Sequence, residues 1–309
     1  MLFSFLPTDS CFLINSGTGT ILFRFDLTLS PPIEIYFKSS LKSPHFFYIG
    51  DIINHKSIKM KKLYFIFLFL FTTIIFSQNV VEIHYRHVPS QHIAEFEAKE
   101  MDHWSKVKQN AIDNGDLLAT AFFRVADAGL VEDETIPTHA FVLVYKDFDQ
   151  LAKSNKIWSS AEKVLGMNPS YISTDDISKV MMIQRYKLID ELSPLREFKY
   201  AVWNYSKPKD MGGFVNENLK LWKPYFEKRV GKNGLAGWGI LARVYPQGMD
   251  QSSLLSYDHY TDLSSAMKAL SPMDFDQSIL GKSKMSEYDP DGFRYRVLLE
   301  LLQFQGSVN

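Results

Sequence analysis

The strongest constraint on this chain is that it runs through one pattern twice. IHYRHVPSQHIAEFEAKEMDHW, from Ile83, aligns with AVWNYSKPKDMGGFVNENLKLW, from Ala201. Tyr85 then falls on Trp203, Phe96 on Phe214 and Trp104 on Trp222, and the same spacing brings Leu117 onto Leu235 and Phe122 onto Ile240. A shorter loop in the second half places VYKDFDQLAK, from Val144, on SYDHYTDLSS, from Ser256, and RYKLIDEL, from Arg185, on RYRVLLEL, from Arg294. Four matches in one order point to a duplication, so the chain must fold as two units with one grammar.

That grammar can be read from periodicity and breakers. In the first half, Val80–His87 alternates as a strand, Pro89-Ser90 stops it, and residues 91–110 carry apolar side chains three or four apart, as a helix does. Asn114-Gly115 breaks the helix, a strand follows near Leu117–Val125, and DAGLVEDETIPT is a loop before the strand HAFVLVY. A helix near Phe148 and a strand over Lys179–Leu192 complete the order β-α-β-β-α-β, the ferredoxin-like unit. The second half has strands near residues 198–205, 235–244, 254–257 and 293–303, and helices near 211–230 and 262–270. In GLAGWG, Gly234–Gly239, neither phosphate-loop spacing is present, and close backbone packing or a bulge is expected on that strand.

The strand faces add a requirement. Val81, Ile83 and Tyr85 alternate with Glu82, His84 and Arg86, giving one side suited to helix packing and one mixed polar side. Phe141 and Leu143 alternate with Val142 and Val144, so that strand is apolar on both sides. One face of a four-stranded sheet is covered by its own helices; the other must be buried elsewhere, and the second copy can bury it.

With this order of elements, its repeated aromatics and its helix–strand spacing, the chain resembles the dimeric α+β barrel superfamily. That superfamily includes antibiotic-biosynthesis-type monooxygenases, stress-responsive barrel proteins, haem-degrading enzymes and NIPSNAP-type proteins. The resemblance covers most of residues 80–303. It implies an α+β fold in which two ferredoxin-like repeats, residues 79–195 and 196–309, form a pseudo-dimeric barrel within one chain. It also implies a cavity for a small apolar or aromatic ligand, with haem or cofactor-independent oxidation as family chemistries.

Residues before the repeat are of another kind. Thirteen of the 24 Phe and the one Cys, Cys11, lie in residues 1–78, with four acids. MKKLYFIFLFLFTTIIFSQ, residues 60–78, has the Met, paired lysines, apolar run and small polar end of a signal peptide. Its run from Leu63 to Phe76 is shorter than the roughly 20 residues of a bilayer span. Export with cleavage is expected, to the periplasm or the medium, with no stable membrane anchor afterwards. Residues 1–59 are expected to be upstream sequence or a leader.

Charge and cysteine content narrow the chemistry. The chain has 34 basic and 35 acidic residues, and from Asn79 onward 27 and 31, so no basic surface favours nucleic acid. The segment from Asn79 has no cysteine, which removes thiolate metal centres, disulfides and a Cys nucleophile, and no GxSxG serine motif is present.

Candidate ligand-binding residues come from the polar and aromatic positions of the strands. Glu82, His84 and Arg86, with Arg124, can bind a carboxylate or polarise a small ligand, and His139 shares a face with Phe141 and Leu143. Ordinary ion pairing accounts for the same charges. Trp203, Tyr205 and Trp238 are candidates for lining a pocket, and His84, His103, His139 and His259 are those available to haem. His84 and His87 point to opposite faces of a strand, so no metal pair is expected there. Three classes of function remain: an exported binder of a small apolar or aromatic molecule with no cofactor, a cofactor-independent or haem-associated oxidoreductase, and a structural or interaction protein.

Overall fold

In the computed structural model, the described residues are 79–128, 133–194, 197–273 and 276–306, with four short strands at Phe3–Phe5, Cys11–Ser16, Gly19–Arg24 and Glu34–Lys38. The chain separates into two units, Met1–Ile75 and Phe76–Asn309. The short strands pair antiparallel in sequence order within the first. The expected signal segment, residues 60–78, lies outside the described residues.

The second unit opens with strand β1 (Val80–His87). Helix α1 (Ile93–Lys99) follows and continues through a π-helical turn, Glu100–Trp104, into α2 (Ser105–Asp113). Gly115, at φ 70°, ends α2 in the left-handed region open to glycine, and strands β2 (Ala119–Val125) and β3 (His139–Tyr145) come next. Asp147 accepts from Gln150 N at 2.8 Å and starts three short helices, α3 (Phe148–Ala152), α4 (Asn155–Ser159) and α5 (Ala161–Leu165), where the sequence suggested one. Strand β4 (Lys179–Leu192) closes the first half.

The second half repeats the order with β5 (Tyr200–Ser206), α6 (Met211–Glu217), a second π-helical turn at Asn218–Trp222, α7 (Lys223–Glu227), β6 (Leu235–Tyr245) and β7 (Leu254–Tyr260). Helices α8 (Leu263–Leu270), α9 (Gln277–Leu280) and α10 (Met285–Tyr288) precede strand β8 (Tyr295–Gly306). The last two short helices had no periodic signal in the sequence. Among the described residues no helix is long and apolar enough to cross a membrane.

All eight strands join one closed antiparallel barrel in the order β6-β7-β5-β8-β2-β3-β1-β4. Closure is made between the halves: β4 pairs with β6, and β8 pairs with β2. The lumen is filled from every strand, with Val81, Ile83 and Tyr85 among the inward side chains. This corrects the expected facing of β1. Its apolar side looks into the barrel, and its polar side, Glu82, His84 and Arg86, lies under the helices.

The registers also refine the internal matches. Phe96 and Phe214 lie in corresponding helices, and Trp104 and Trp222 each end a π-helical turn. Within the barrel Tyr85 meets Trp203 edge to face at 6.1 Å and touches Tyr205 through its hydroxyl. Tyr145 packs beneath the first-half helices, whereas Tyr257 packs against the barrel core. The bulge expected in GLAGWG is present as a register shift between Leu235 and Gly237.

Candidate functional site

The outward face of β1 and β3 and the helices above it enclose a groove of about 370 Å³ in the first half. Its floor carries His84, Arg86, Phe141 and Leu143; Glu100, Trp104 and Lys108 come from the helix, Trp158 from α4, and Ser173, Thr174 and Asp175 from the loop before β4. The helix supplies its three residues at spacings of four, so they occupy one stripe. The π-helical turn begins at Glu100 and ends at Trp104; such turns recur at functional sites.

Each charge in the groove has an internal partner. Lys108 Nζ lies 3.0 Å from Glu100 Oε2, with both side chains buried, and 4.6 Å from the centre of the Phe141 ring. Arg86 Nη1 donates to Ser178 Oγ at 2.7 Å and to Thr174 Oγ1 at 3.5 Å, and it lies 3.4 Å from Asp175 Oδ1. Thr174 Oγ1 in turn donates to Glu100 Oε1 at 3.3 Å, linking the two pairs. Above them the indoles of Trp104 and Trp158 meet edge to face at 6.2 Å, and Trp104 Nε1 is fixed by the Ile172 carbonyl at 3.1 Å.

Glu82 stands behind this floor. Its Oε1 is 2.8 Å from His84 Nε2, and its Oε2 accepts from Arg185 Nε at 2.6 Å. Burial alone would raise the Glu82 carboxyl, but the bonds and charges of His84 and Arg185 outweigh it and hold the carboxyl below its usual value.

Arg124 and His139 form a separate brace outside the groove. Glu97 on α1 accepts from Arg124 Nε at 2.7 Å and pairs with His139 Nε2 at 3.0 Å, while His139 Nδ1 meets Thr138 Oγ1 at 2.9 Å. His139 is fully buried between the Phe96 and Phe122 rings. Burial, the largest influence, lowers its pKa, so the imidazole is neutral and structural.

The remaining candidates lie elsewhere. Trp203 and His259 line a cavity inside the barrel, and Tyr205 belongs to the barrel core. Trp238 lies beneath the second-half helices, stacked on Phe226 at 5.7 Å. The sequence therefore brought only His84 and Arg86 into the groove. It missed Glu100, Lys108, Trp158 and Thr174, although the i, i+4, i+8 run Glu100-Trp104-Lys108 was visible as two charges on an apolar helical stripe.

The side chains do not fit haem. His139 has both nitrogens engaged, and His84, the imidazole of the groove, has its Nε2 committed to Glu82. His103 lines neither cavity. His259 lies flat on Phe198, 3.9 Å between ring centres, with Nδ1 buried and unbonded. At about 370 Å³ the groove is near the lower end of small-molecule pockets, roughly 300–1,000 Å³, which suits one or two rings and not a tetrapyrrole.

No family model and no curated protein matches the chain. Several solved structures are similar to it. An anthrone oxidase-like protein is 11% identical, with 74% of this chain and 93% of that one covered and a TM-score of 0.46. A heme-binding protein from Thermus thermophilus is 13% identical, with 73% and 92% covered and a TM-score of 0.43. A mutant chlorite dismutase from Candidatus Nitrospira defluvii is 9% identical, with 74% and 93% covered and a TM-score of 0.43.

Proposed function

We propose that this is an exported protein that binds a small, uncharged aromatic molecule in the first-half groove, on a barrel made from two copies of one ferredoxin-like unit. One observation carries the ligand class: two indoles wall a floor whose cations already have anions, Lys108 with Glu100 and Arg86 with Asp175. A ligand with a full charge must break one of these pairs, and the buried Lys108–Glu100 pair is costly to break. A neutral ring meets the indoles and the Phe141 face, and a hydroxyl on it meets Thr174 or Ser173.

Titration with 1-naphthol, followed by quenching of tryptophan fluorescence, tests this reading. Saturable binding that Trp158→Ala weakens tenfold or more is expected. The reading fails if no saturation occurs, or if Trp158→Ala binds as tightly as the parent. Export has its own test: the intact mass of the protein from its native host should begin near Asn79, and a species retaining residues 60–78 would exclude cleavage there.

A further inference from the structure

The lumen of the barrel contains a second cavity, of about 320 Å³, separated from the groove by the sheet itself. An eight-stranded barrel has an interior that side chains just fill or that holds one small ligand. Here it is filled at one level and empty at another. Tyr85, Tyr186 and Tyr205 plug one level, with Arg243 among them donating to Gln251 Oε1 at 2.7 Å. Toward the rim at Asn79, Leu118, Glu191 and Ser193 the inward positions of β2 are Ala119 and Ala121, and the space their short side chains leave is the cavity.

Its walls are apolar. Val81, Val142, Val144, Leu188, Leu241 and Leu255 supply aliphatic surface, and Trp203 and Phe123 meet edge to face at 5.6 Å. The two polar groups deepest in the wall carry no vacant charge. Tyr257 Oη donates to Glu191 Oε2 at 2.9 Å, so the phenol is neutral and its proton is turned to the rim. Burial pushes His259 down to about 3, so its imidazole is neutral, and it lies sandwiched against Phe198 and Tyr257.

From this wall we infer that the lumen is a binding site for one uncharged, mainly aliphatic or alicyclic molecule, distinct from the aromatic site under the helices. An apolar cavity of about 150 Å³ stays dry and takes up benzene or xenon, so one about twice as large accommodates a compact bicyclic skeleton. An anionic headgroup has no counterion within the lining, and the one carboxylate there, Glu191, stands exposed at the rim, so a charge carried into the apolar depth would cost several kcal/mol.

Camphor, a neutral bicyclic ketone, is the probe. Calorimetric titration of the purified full chain should show one saturable site with a negative heat-capacity change, the mark of apolar burial. Ala121→Phe projects a ring into the cavity and should weaken camphor at least tenfold. Val144→Phe does the same from another wall and serves if the first variant fails to fold by circular dichroism. Xenon-pressurised crystals of the parent protein give a readout independent of any variant, with density expected between Ala121, Trp203 and Leu255. Absence of both camphor heat and xenon density would overturn the inference. So would camphor binding unchanged in folded Ala121→Phe or Val144→Phe, which would place the probe outside the lumen.

Discussion

Tyr85 and Tyr205, 120 residues apart, touch through their hydroxyls inside the barrel, where both side chains are almost wholly buried. Burial, the largest influence, holds both phenols well above their ordinary range, so the pair is neutral, one hydroxyl donating and the other accepting. The contact ties β1 to β5, strands that do not pair with each other.

Loss of one member should therefore cost more than loss of both suggests. Tyr85→Phe strands a buried hydroxyl on Tyr205, at about 1–3 kcal/mol. In urea unfolding, the double variant Tyr85→Phe/Tyr205→Phe should be more stable than the sum of the single changes predicts. Simple additivity would mean the hydroxyls contribute nothing jointly.

The Glu97 brace should shape the acid limb of stability. Burial alone would raise this carboxyl, but the bonds from His139 and Arg124 bring it down to about 2 from an ordinary value of 4.5. Its contribution is thus complete above about 4.5 and is lost as pH falls toward 2; His139, lowered by burial, adds an acid loss of the same sign. Glu97→Gln should melt at a lower temperature near neutral pH and show a shallower decline on acidification. Parallel acid limbs for the two proteins would count against the brace.

Asp258 predicts the opposite sign. Burial pushes it up to about 6 from 3.8, with the Asn204 bond, 2.9 Å, and the Arg296 charge offsetting only part. The folded state holds this proton more tightly, so stability falls as pH rises from about 3.8 to about 6 and stays lower above that. Asp258→Asn resembles the protonated acid and should gain up to about 3 kcal/mol near pH 7, with no gain near pH 3.5. Chemical denaturation at the two pH values decides it; a loss at neutral pH would contradict the assignment.

Gly239 should not tolerate a side chain while Tyr257 keeps its place. A Cβ there would overlap the Tyr257 ring, which crosses the neighbouring strand at that level. Gly239→Ala should cost about 1–3 kcal/mol through overpacking and should release the Tyr257–Glu191 bond. Adding Tyr257→Ala should recover part of that loss in thermal melts; equal melting of Gly239→Ala and the parent would show that the ring moves freely.

Much of the fold was legible because its signals are local. Val80–His87 alternates at period two, and Phe96, Trp104 and Val107 repeat at helical spacing, so the elements appear where the pattern places them. Facing was harder. The polar side of β1 lies under helices with its charges paired to other elements, Glu82 to Arg185 of β4 and Arg86 to Asp175, and such partners are invisible along one strand. One strand match failed where the helix matches held: Tyr145 packs beneath the helices and Tyr257 against the barrel core, and an aromatic side chain suits either apolar face. The groove was missed for a related reason: Glu100 and Lys108 look like solvated helix charges until each is seen to be the other's partner.

The cross-pairing of β4 with β6 and of β8 with β2 gives the molecule two seams, each stitched from one strand of either half. Neither half can swing away as a lid or leave as an independent module, because parting one seam exposes raw sheet edges on both pieces at once. A single cut in the connector between Leu192 and Phe198 would accordingly leave two fragments held as a non-covalent pair. The hinge-like freedom usual between tandem domains is absent, and a guest of the lumen must pass through the barrel's end.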